Sequence, residues 1–399
     1  MSRLLAPLAV FGAVLAAMVA LNGGATSPSA LSAGGEPDYA GLGSSYLERA
    51  RATGDPGFYS RAARAFSAAL RRDPSSVDGL VGAGTLAGFR HDFREQLRLG
   101  MEARRVAPEL ARPLTVVADA QVELGRYGDA ARTIQRLVDL KPSLPAYARV
   151  SYYRELHGDV NGAIEAMRFA VSAGGSPESA AYVETLLGDL ELSRGELAAA
   201  RTAYREALRD SSSFPQALTG LARIDAAGGD LRRAAARLRR STDRLPLTSA
   251  LVLLSEVERA AGRRRAARAD LAAARVQHRL LGRHGTLPDA EAVLFEANHG
   301  SPPRAVRLGR RVWRAAPSIR SVDALGWALT RSGRPRLGLV WARRALRTAS
   351  RDPLFRLHAG VAARGAGVPA EAGRDLEPAA KGAAALSPTS VRLLEEARP

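Results

Sequence analysis

Residues 186–208, LLGDLELSRGELAAARTAYREAL, decide the fold. The stretch holds two short amphipathic segments separated by Gly195, and glycine supplies the left-handed backbone conformation with which helices commonly end. Gly188 and Ala200 are small enough to let two antiparallel helices approach closely, and Tyr204 fills the space between them. The stretch therefore predicts a helical hairpin. A single hairpin cannot bury its apolar stripe alone, so neighbouring hairpins must repeat it.

The same pattern recurs along the chain. Glycines suited to end the first helix of a hairpin recur every 33 to 38 residues, at Gly125, Gly158, Gly195, Gly229, Gly262, Gly300, Gly333 and Gly367. A small residue stands five positions after each of them, at Ala130, Ala163, Ala200, Ala234, Ala267, Ala305, Gly338 and Ala372. Eight coincidences of this kind indicate a repeat array, in which each hairpin contacts mainly its neighbours.

These units resemble the tetratricopeptide repeat, a 34-residue helix–turn–helix unit. The segment Gly125-Arg126-Tyr127-Gly128-Asp129-Ala130 is similar to the second half of that repeat, whereas one earlier unit has a His-Asp-Phe turn at residues 91–93. The resemblance is to proteins of the bacterial exported or membrane-anchored type. It implies an all-α, right-handed superhelical solenoid of about ten hairpins over residues 39–385, with a capping tail at 386–399.

Residues 1–25 are predicted to be a signal peptide or an N-terminal membrane anchor. Arg3 is followed by eighteen uncharged, mostly apolar residues and then by a stretch rich in Gly and Ser. Residues 26–38 are expected to form a flexible linker. Both alternatives leave the repeats outside the cytoplasm, in the cell envelope or secreted. The absence of cysteine excludes disulfides and cysteine-bound metals, and it fits either compartment.

Charge is distributed unevenly along the chain. Residues 39–200 carry 20 basic and 20 acidic side chains, whereas residues 232–351 carry 27 arginines against 8 Asp and Glu, a net charge of +19. The whole chain has a net charge of +18, so the second segment accounts for the entire excess. Candidate residues for docking to an anionic surface are Arg232, Arg233, Arg237, Arg240, Arg263, Arg264, Arg304, Arg307, Arg311 and Arg314.

Two explanations of this arginine-rich segment remain open. In the first, a codon bias favours arginine on an ordinary solvated helix face. Such a bias does not explain why basic and acidic side chains are balanced in residues 39–200. The other explanation is a surface for an anionic partner, namely an acidic protein, an anionic lipid or polymer, or nucleic acid. Arg304, Arg307 and Arg311 recur at helical spacing while Ala305 and Val312 take the packed side. By the resemblance, these arginines lie on second helices, which face outward.

A candidate partner-binding site surrounds Trp327. In tetratricopeptide arrays the first helices line a concave groove, and the resemblance places Trp327 there with Arg320, Asp323 and Arg331. An aromatic ring flanked by guanidinium groups is typical of binding sites. The alternative is that the tryptophans at positions 313, 327 and 341 fill volume left by nearby glycines.

No catalytic, cofactor or metal site is predicted. The six histidines lack the spacing of a zinc-binding helix, no glycine-rich phosphate loop occurs, and a solenoid offers no enclosed pocket. We therefore expect a non-enzymatic scaffold of the bacterial cell envelope that binds a protein or peptide in its concave groove. The alternative is a binder of an anionic polymer, an anionic lipid surface or nucleic acid through residues 232–351. Export and the lack of a recognised nucleic-acid module argue against nucleic acid.

Overall fold

A computed structural model describes residues 37–398, so the predicted signal peptide or anchor and almost all of the linker lie outside the described residues. Within that range, 21 α-helices follow one another, and two short 3₁₀ turns lie at Leu346–Thr348 and Ala383–Ala385. The predicted all-α fold class is confirmed. None of the described helices is both long and apolar enough to cross a membrane.

The helices form ten successive hairpins, in agreement with the predicted number of about ten. Each hairpin has a first and a second helix, and a single helix follows the tenth hairpin within the predicted C-terminal tail. The helices are α1 (Tyr39–Thr53), α2 (Gly57–Arg72), α3 (Val77–Phe89), α4 (Phe93–Val106), α5 (Ala111–Glu123), α6 (Tyr127–Leu140), α7 (Leu144–Leu156), α8 (Val160–Ser172), α9 (Pro177–Ser193), α10 (Leu197–Asp210), α11 (Pro215–Ala227), α12 (Leu231–Arg244), α13 (Thr248–Ala260), α14 (Arg264–Arg283), α15 (Ala290–His299), α16 (Pro302–Ala315), α17 (Ile319–Arg331), α18 (Pro335–Ala345), α19 (Pro353–Gly365), α20 (Pro369–Lys381) and α21 (Pro388–Ala397).

The contacts divide the described chain into two compact units. The smaller unit contains residues 37–150 together with 279–287, and the larger unit contains residues 151–278 and 288–398. In the smaller unit, the residues after α14 lie against the second hairpin, where the Leu287 amide donates to the Arg90 carbonyl at 2.7 Å. The α14 helix is 20 residues long, longer than any other helix in the described part of the chain.

The hairpin turns depend on left-handed backbone conformations. Seven of the eight predicted hairpin glycines have φ between 68° and 86°. Gly300 is the exception, with φ of −124°, and a methyl group there would lie 2.6 Å from the present position of the Glu296 carboxyl group. His91 adopts φ of 59° in the hairpin whose turn reads His-Asp-Phe. Its Nδ1 lies 2.9 Å from the carbonyl oxygen of Leu287, which fixes the ring of this strained residue.

Two aromatic rings on second helices are held between glycines of consecutive first helices. Tyr204 of α10 is fully buried between Gly188 of α9 and Gly220 of α11, and a methyl group at Gly188 would lie 2.5 Å from the ring. Phe66 of α2 occupies the equivalent position in the smaller unit, between glycines of α1 and α3. The rings therefore fill the spaces that the missing Cβ atoms leave, as the spacing of Gly188 and Tyr204 predicts.

We expect Gly188→Ala to lower the free energy of unfolding by about 1–3 kcal/mol, because its methyl group overlaps the Tyr204 ring. Gly373→Ala is the matched control, because Gly373 lies within α20 and no atom stands within 4 Å of the added methyl group. This control should be neutral or stabilise by up to about 1 kcal/mol. Urea unfolding followed by circular dichroism compares the two variants. Equal midpoints for both would contradict the packing of the ring.

Candidate interaction surface

The first-helix side of the larger unit faces its own interior. Its last hairpins pack against its first ones: the carbonyl oxygens of Ala349 and Lys381 lie against the turn glycines Gly158 and Gly195. The α17 helix is buried on almost all sides, since every residue from 321 to 329 is buried. This side therefore offers no open groove in the larger unit.

The predicted partner-binding site around Trp327 lies in that interior, so the expectation of an open, groove-facing ring is wrong. Trp327 and Asp323 are each 1% exposed. The Trp327 Nε1 donates to Oδ1 of Asn298 at 2.8 Å, and its ring stacks on His358 with centroids 4.2 Å apart. The His358 Nδ1 lies 2.8 Å from Oδ2 of Asp323. The later hairpins cover the face on which these residues lie, and the hairpin spacing alone does not reveal that cover.

The two arginines of the same predicted site are also engaged within the larger unit. Arg320 donates to the hydroxyl of Tyr152 at 3.3 Å. The Arg331 guanidinium lies 5.7 Å from the Trp327 ring centroid, and burial lowers the pKa of Arg331. All four predicted residues are therefore brought together, but as parts of a polar interior.

Several carboxyl groups of this interior have raised pKa values. Burial, and then the nearby Asp352 and Asp189, raise the pKa of Glu155 to about 8. Burial and the nearby Asp289 raise the pKa of Glu291 to about 8. Burial also raises the pKa values of Asp189 and Asp352 to about 6. The described residues hold no group of carboxylates and histidines that could bind a metal ion.

We expect the free energy of unfolding to fall as pH rises from 6.5 to 8. Because their folded pKa is about 8 and the unfolded Glu pKa is 4.5, Glu155 and Glu291 are protonated in the folded chain over most of this window and ionised in the unfolded chain. Unfolding therefore releases protons, which costs the folded state up to about 1.4 kcal/mol per pH unit for each carboxyl. Burial lowers the pKa of His299 from 6.5 to about 3, so this group raises the free energy of unfolding as pH increases between those values. That effect ends at about pH 6.5 and does not act in the window from pH 6.5 to pH 8.

Urea unfolding at pH 6.5 and pH 8 measures this dependence. The double variant Glu155→Gln and Glu291→Gln should show a smaller difference between the two pH values than the wild type. Glu109→Gln, at an exposed position, serves as the control. A wild-type stability that rises across this window would show that the two carboxyls are not protonated when folded.

The predicted docking arginines lie mainly on the second helices α12, α14 and α16, and most are exposed. Two of the ten are not free surface groups, and this corrects the prediction. Arg237 is half-buried and its Nε donates to Oδ2 of Asp225 at 2.6 Å, and Arg263 pairs with the buried Glu258. Both carboxylates lie near the ends of first helices, where a turn brings the next helix close.

The other eight arginines of the predicted set are all exposed, but they differ in whether a carboxylate lies nearby. Arg233 and Arg304 are exposed but lie 3.6 Å and 3.3 Å from the carboxylates of Asp225 and Glu296. The exposed members that have no carboxylate within 4.0 Å in the described part of the chain are Arg232, Arg240, Arg264, Arg307 and Arg311. Arg314 is exposed as well. The predicted outward placement of Arg304, Arg307 and Arg311 agrees with the structure.

An apolar patch on α16 and α18 was not predicted as a site. Trp313 and Trp341 pack edge to face with centroids 5.0 Å apart, and the Arg344 guanidinium lies within 5.5 Å of both rings. Leu337 and Val340 stand beside them, 52% and 59% exposed. The spacing of residues 337, 340, 341 and 344 on one helix face is the sequence signal from which this patch could have been found.

No protein-family model matches the chain, and no curated protein matches it. Solved structures do match. The human IFIT1 dimer with m7Gppp-AAAA is 16% identical over 73% of this chain and 68% of its own, with a TM-score of 0.49. PilW, a type IV pilus biogenesis factor, is 17% identical over 52% of this chain and 97% of its own, with a TM-score of 0.42. MamA is 19% identical over 40% of this chain and 93% of its own, with a TM-score of 0.33.

Similarity at this level says nothing about what this chain binds. The ten hairpins, their turn glycines and their packing define the class directly: the chain is an all-α helical-repeat protein with tetratricopeptide-like hairpins.

Proposed function

We propose that this protein is a non-enzymatic scaffold that binds an acidic protein partner through exposed arginines on the second helices of its larger unit. The observation that carries the proposal is the contrast between the two sides of that unit. The first-helix side is buried, whereas Arg232, Arg240, Arg264, Arg307 and Arg311 are exposed without a carboxylate within 4.0 Å in the described residues. Clustered charge of one sign attracts a partner of opposite sign and accelerates its association.

The uneven charge supports a binding role for this surface. The surface of residues 39–200 is balanced, so a solvated helix in this protein does not require an arginine excess. We also propose that the scaffold acts outside the cytoplasm, in the cell envelope or secreted, because residues 1–25 have the composition of a signal peptide or membrane anchor.

We expect the triple variant Arg307→Glu, Arg310→Glu and Arg311→Glu to fold normally, because these side chains are exposed on α16. The amount of partner protein captured by the variant should be at least tenfold lower than with the wild type, because the reversed charges repel acidic side chains. Affinity capture from the cells that make the protein, followed by quantitative mass spectrometry, measures this loss. The wild-type complex should also weaken when salt is raised from about 0.1 M to about 1 M, since screening shortens the Debye length from ~10 Å to ~3 Å.

A matched control reverses three exposed arginines of the smaller unit, Arg71, Arg105 and Arg136, with the same change in net charge. Acidic proteins retained by the wild type and this control, but lost by the α16 variant, support the proposal. Retention of the same proteins by all three would contradict it. Selective capture of nucleic acid or lipid in place of protein would also contradict it, and would favour the anionic-polymer or lipid alternative.

A further inference from the structure

We infer that the outer face of α16 and α18 is a docking site for an acidic amphipathic helix of a partner protein. This inference rests on the proposed function, and it names the place on the basic surface where the partner is anchored. The docking site consists of the aromatic pair Trp313 and Trp341, the neighbouring Leu337 and Val340, and the arginines around them.

Three apolar residues and one arginine of α18 share one face of the helix, separate from the face that carries the buried Leu339 and Ala342. Leu337, Val340, Trp341 and Arg344 follow the i, i+3, i+4, i+7 pattern, which places them on one face. Val340 is the most exposed large apolar side chain in the described part of the chain, and Leu337 is 52% exposed. A single exposed leucine is common on protein surfaces. Two exposed aliphatic side chains next to an aromatic pair, however, form a contiguous apolar patch.

The tryptophan pair gives this patch the character of an anchor site. The rings lie in the seam between α16 and α18, partly buried, and they pack against the core of the larger unit. Arg344 lies over both rings at 5.4 Å and 5.5 Å, which holds the guanidinium in place. The Trp313 Nε1 is buried without an acceptor in the described residues. Tryptophan and arginine are the residue types that most often dominate binding energy at protein interfaces.

The surrounding charge selects the partner. The α16 helix contains five arginines and no acidic residue, and Arg307, Arg310 and Arg311 are exposed. Arg336 is exposed at the start of α18. A second copy of this chain would bring arginine against arginine, so self-association through this face is unfavourable. A partner that matches both features has an apolar stripe flanked by carboxylates.

A helix satisfies that description and suits the shape of the site. Apolar side chains at i, i+3, i+4 and i+7 of an amphipathic helix can lie along the stripe, while Glu side chains on its flanks reach the arginines. The tryptophan rings are held in the seam instead of projecting from it, which favours an inserted side chain over insertion of the rings into a bilayer.

The test uses the full-length protein and three probes. The first probe is a designed 20-residue peptide with leucines at i, i+3, i+4 and i+7 spacing and glutamates on both flanks. The second has the same composition in a scrambled order without the apolar stripe. The third is vesicles that contain an anionic phospholipid. Binding is measured by calorimetry at fixed low salt, and tryptophan emission reports whether the peptide reaches Trp313 and Trp341.

The protein variant is Leu337→Ser with Val340→Ser, which removes two exposed side chains and should leave folding intact. The matched control is Leu140→Ser with Val276→Ser, at other exposed apolar positions on second helices. We expect the amphipathic peptide to bind at least tenfold more tightly than the scrambled one and to shift the tryptophan emission. We expect the Leu337/Val340 variant to lose at least tenfold in affinity, whereas the control variant should bind like the wild type.

Equal binding of both peptides, unaffected by the Leu337/Val340 variant, would overturn the inference and leave the proposed function standing, because charge alone would then explain the binding. Binding to vesicles that depends on Leu337 and Val340, without binding to either peptide, would assign the patch to a lipid surface and overturn the inference. Failure of both peptides and the vesicles to bind would overturn it as well. The proposed function fails separately, in the charge-reversal experiment on α16.

Discussion

The placement of an aromatic ring between two glycines is the constraint on which the packing depends. Tyr204 and Phe66 each lie between first helices that approach so closely that a methyl group on either side would overlap the ring. At these two places a single ring sets how closely the neighbouring first helices approach, because close-packed interiors leave no room for an added methyl group. In the larger unit the Tyr204 hydroxyl also donates to Oδ1 of Asp189 at 2.6 Å, so the same residue joins the apolar packing to the polar interior.

That polar interior decides where a partner can bind. Burying Glu155, Glu291 and Asp352 is unfavourable unless they are protonated or paired, and their raised pKa values express this cost. Pairs such as Asp323 with His358 offset part of it. The side that a helical-repeat array would otherwise offer to a peptide is thus used by the larger unit for its own packing. The exposed arginines and the patch on α16 and α18 lie on the other side.

The sequence was sufficient to predict the hairpins but not the cover over the first-helix side. Each hairpin is a local unit, and Gly195, Ala200 and Tyr204 report its turn and packing directly. The burial of Trp327 depends on contacts between residues far apart in sequence, such as Arg320 with Tyr152, which no local periodicity encodes. The same limit applies to Arg237. Its position in the helical pattern predicts an exposed side chain, whereas the structure shows an ion pair with Asp225 of the preceding helix. The spacing of the exposed apolar residues of α18 can be recognised in the sequence, but the same spacing is typical of a helix face that packs against the core.

The most direct test of this account is the solvent accessibility of Trp327. A variant with Trp313→Phe and Trp341→Phe leaves Trp327 as the single fluorescent tryptophan, and acrylamide quenching measures how readily a solute reaches it. If the first-helix side of the larger unit is interior, its emission is blue-shifted and its quenching is at least several-fold weaker than that of free indole, as a ring 1% exposed requires. Quenching as efficient as that of free indole would contradict the account and restore an open groove.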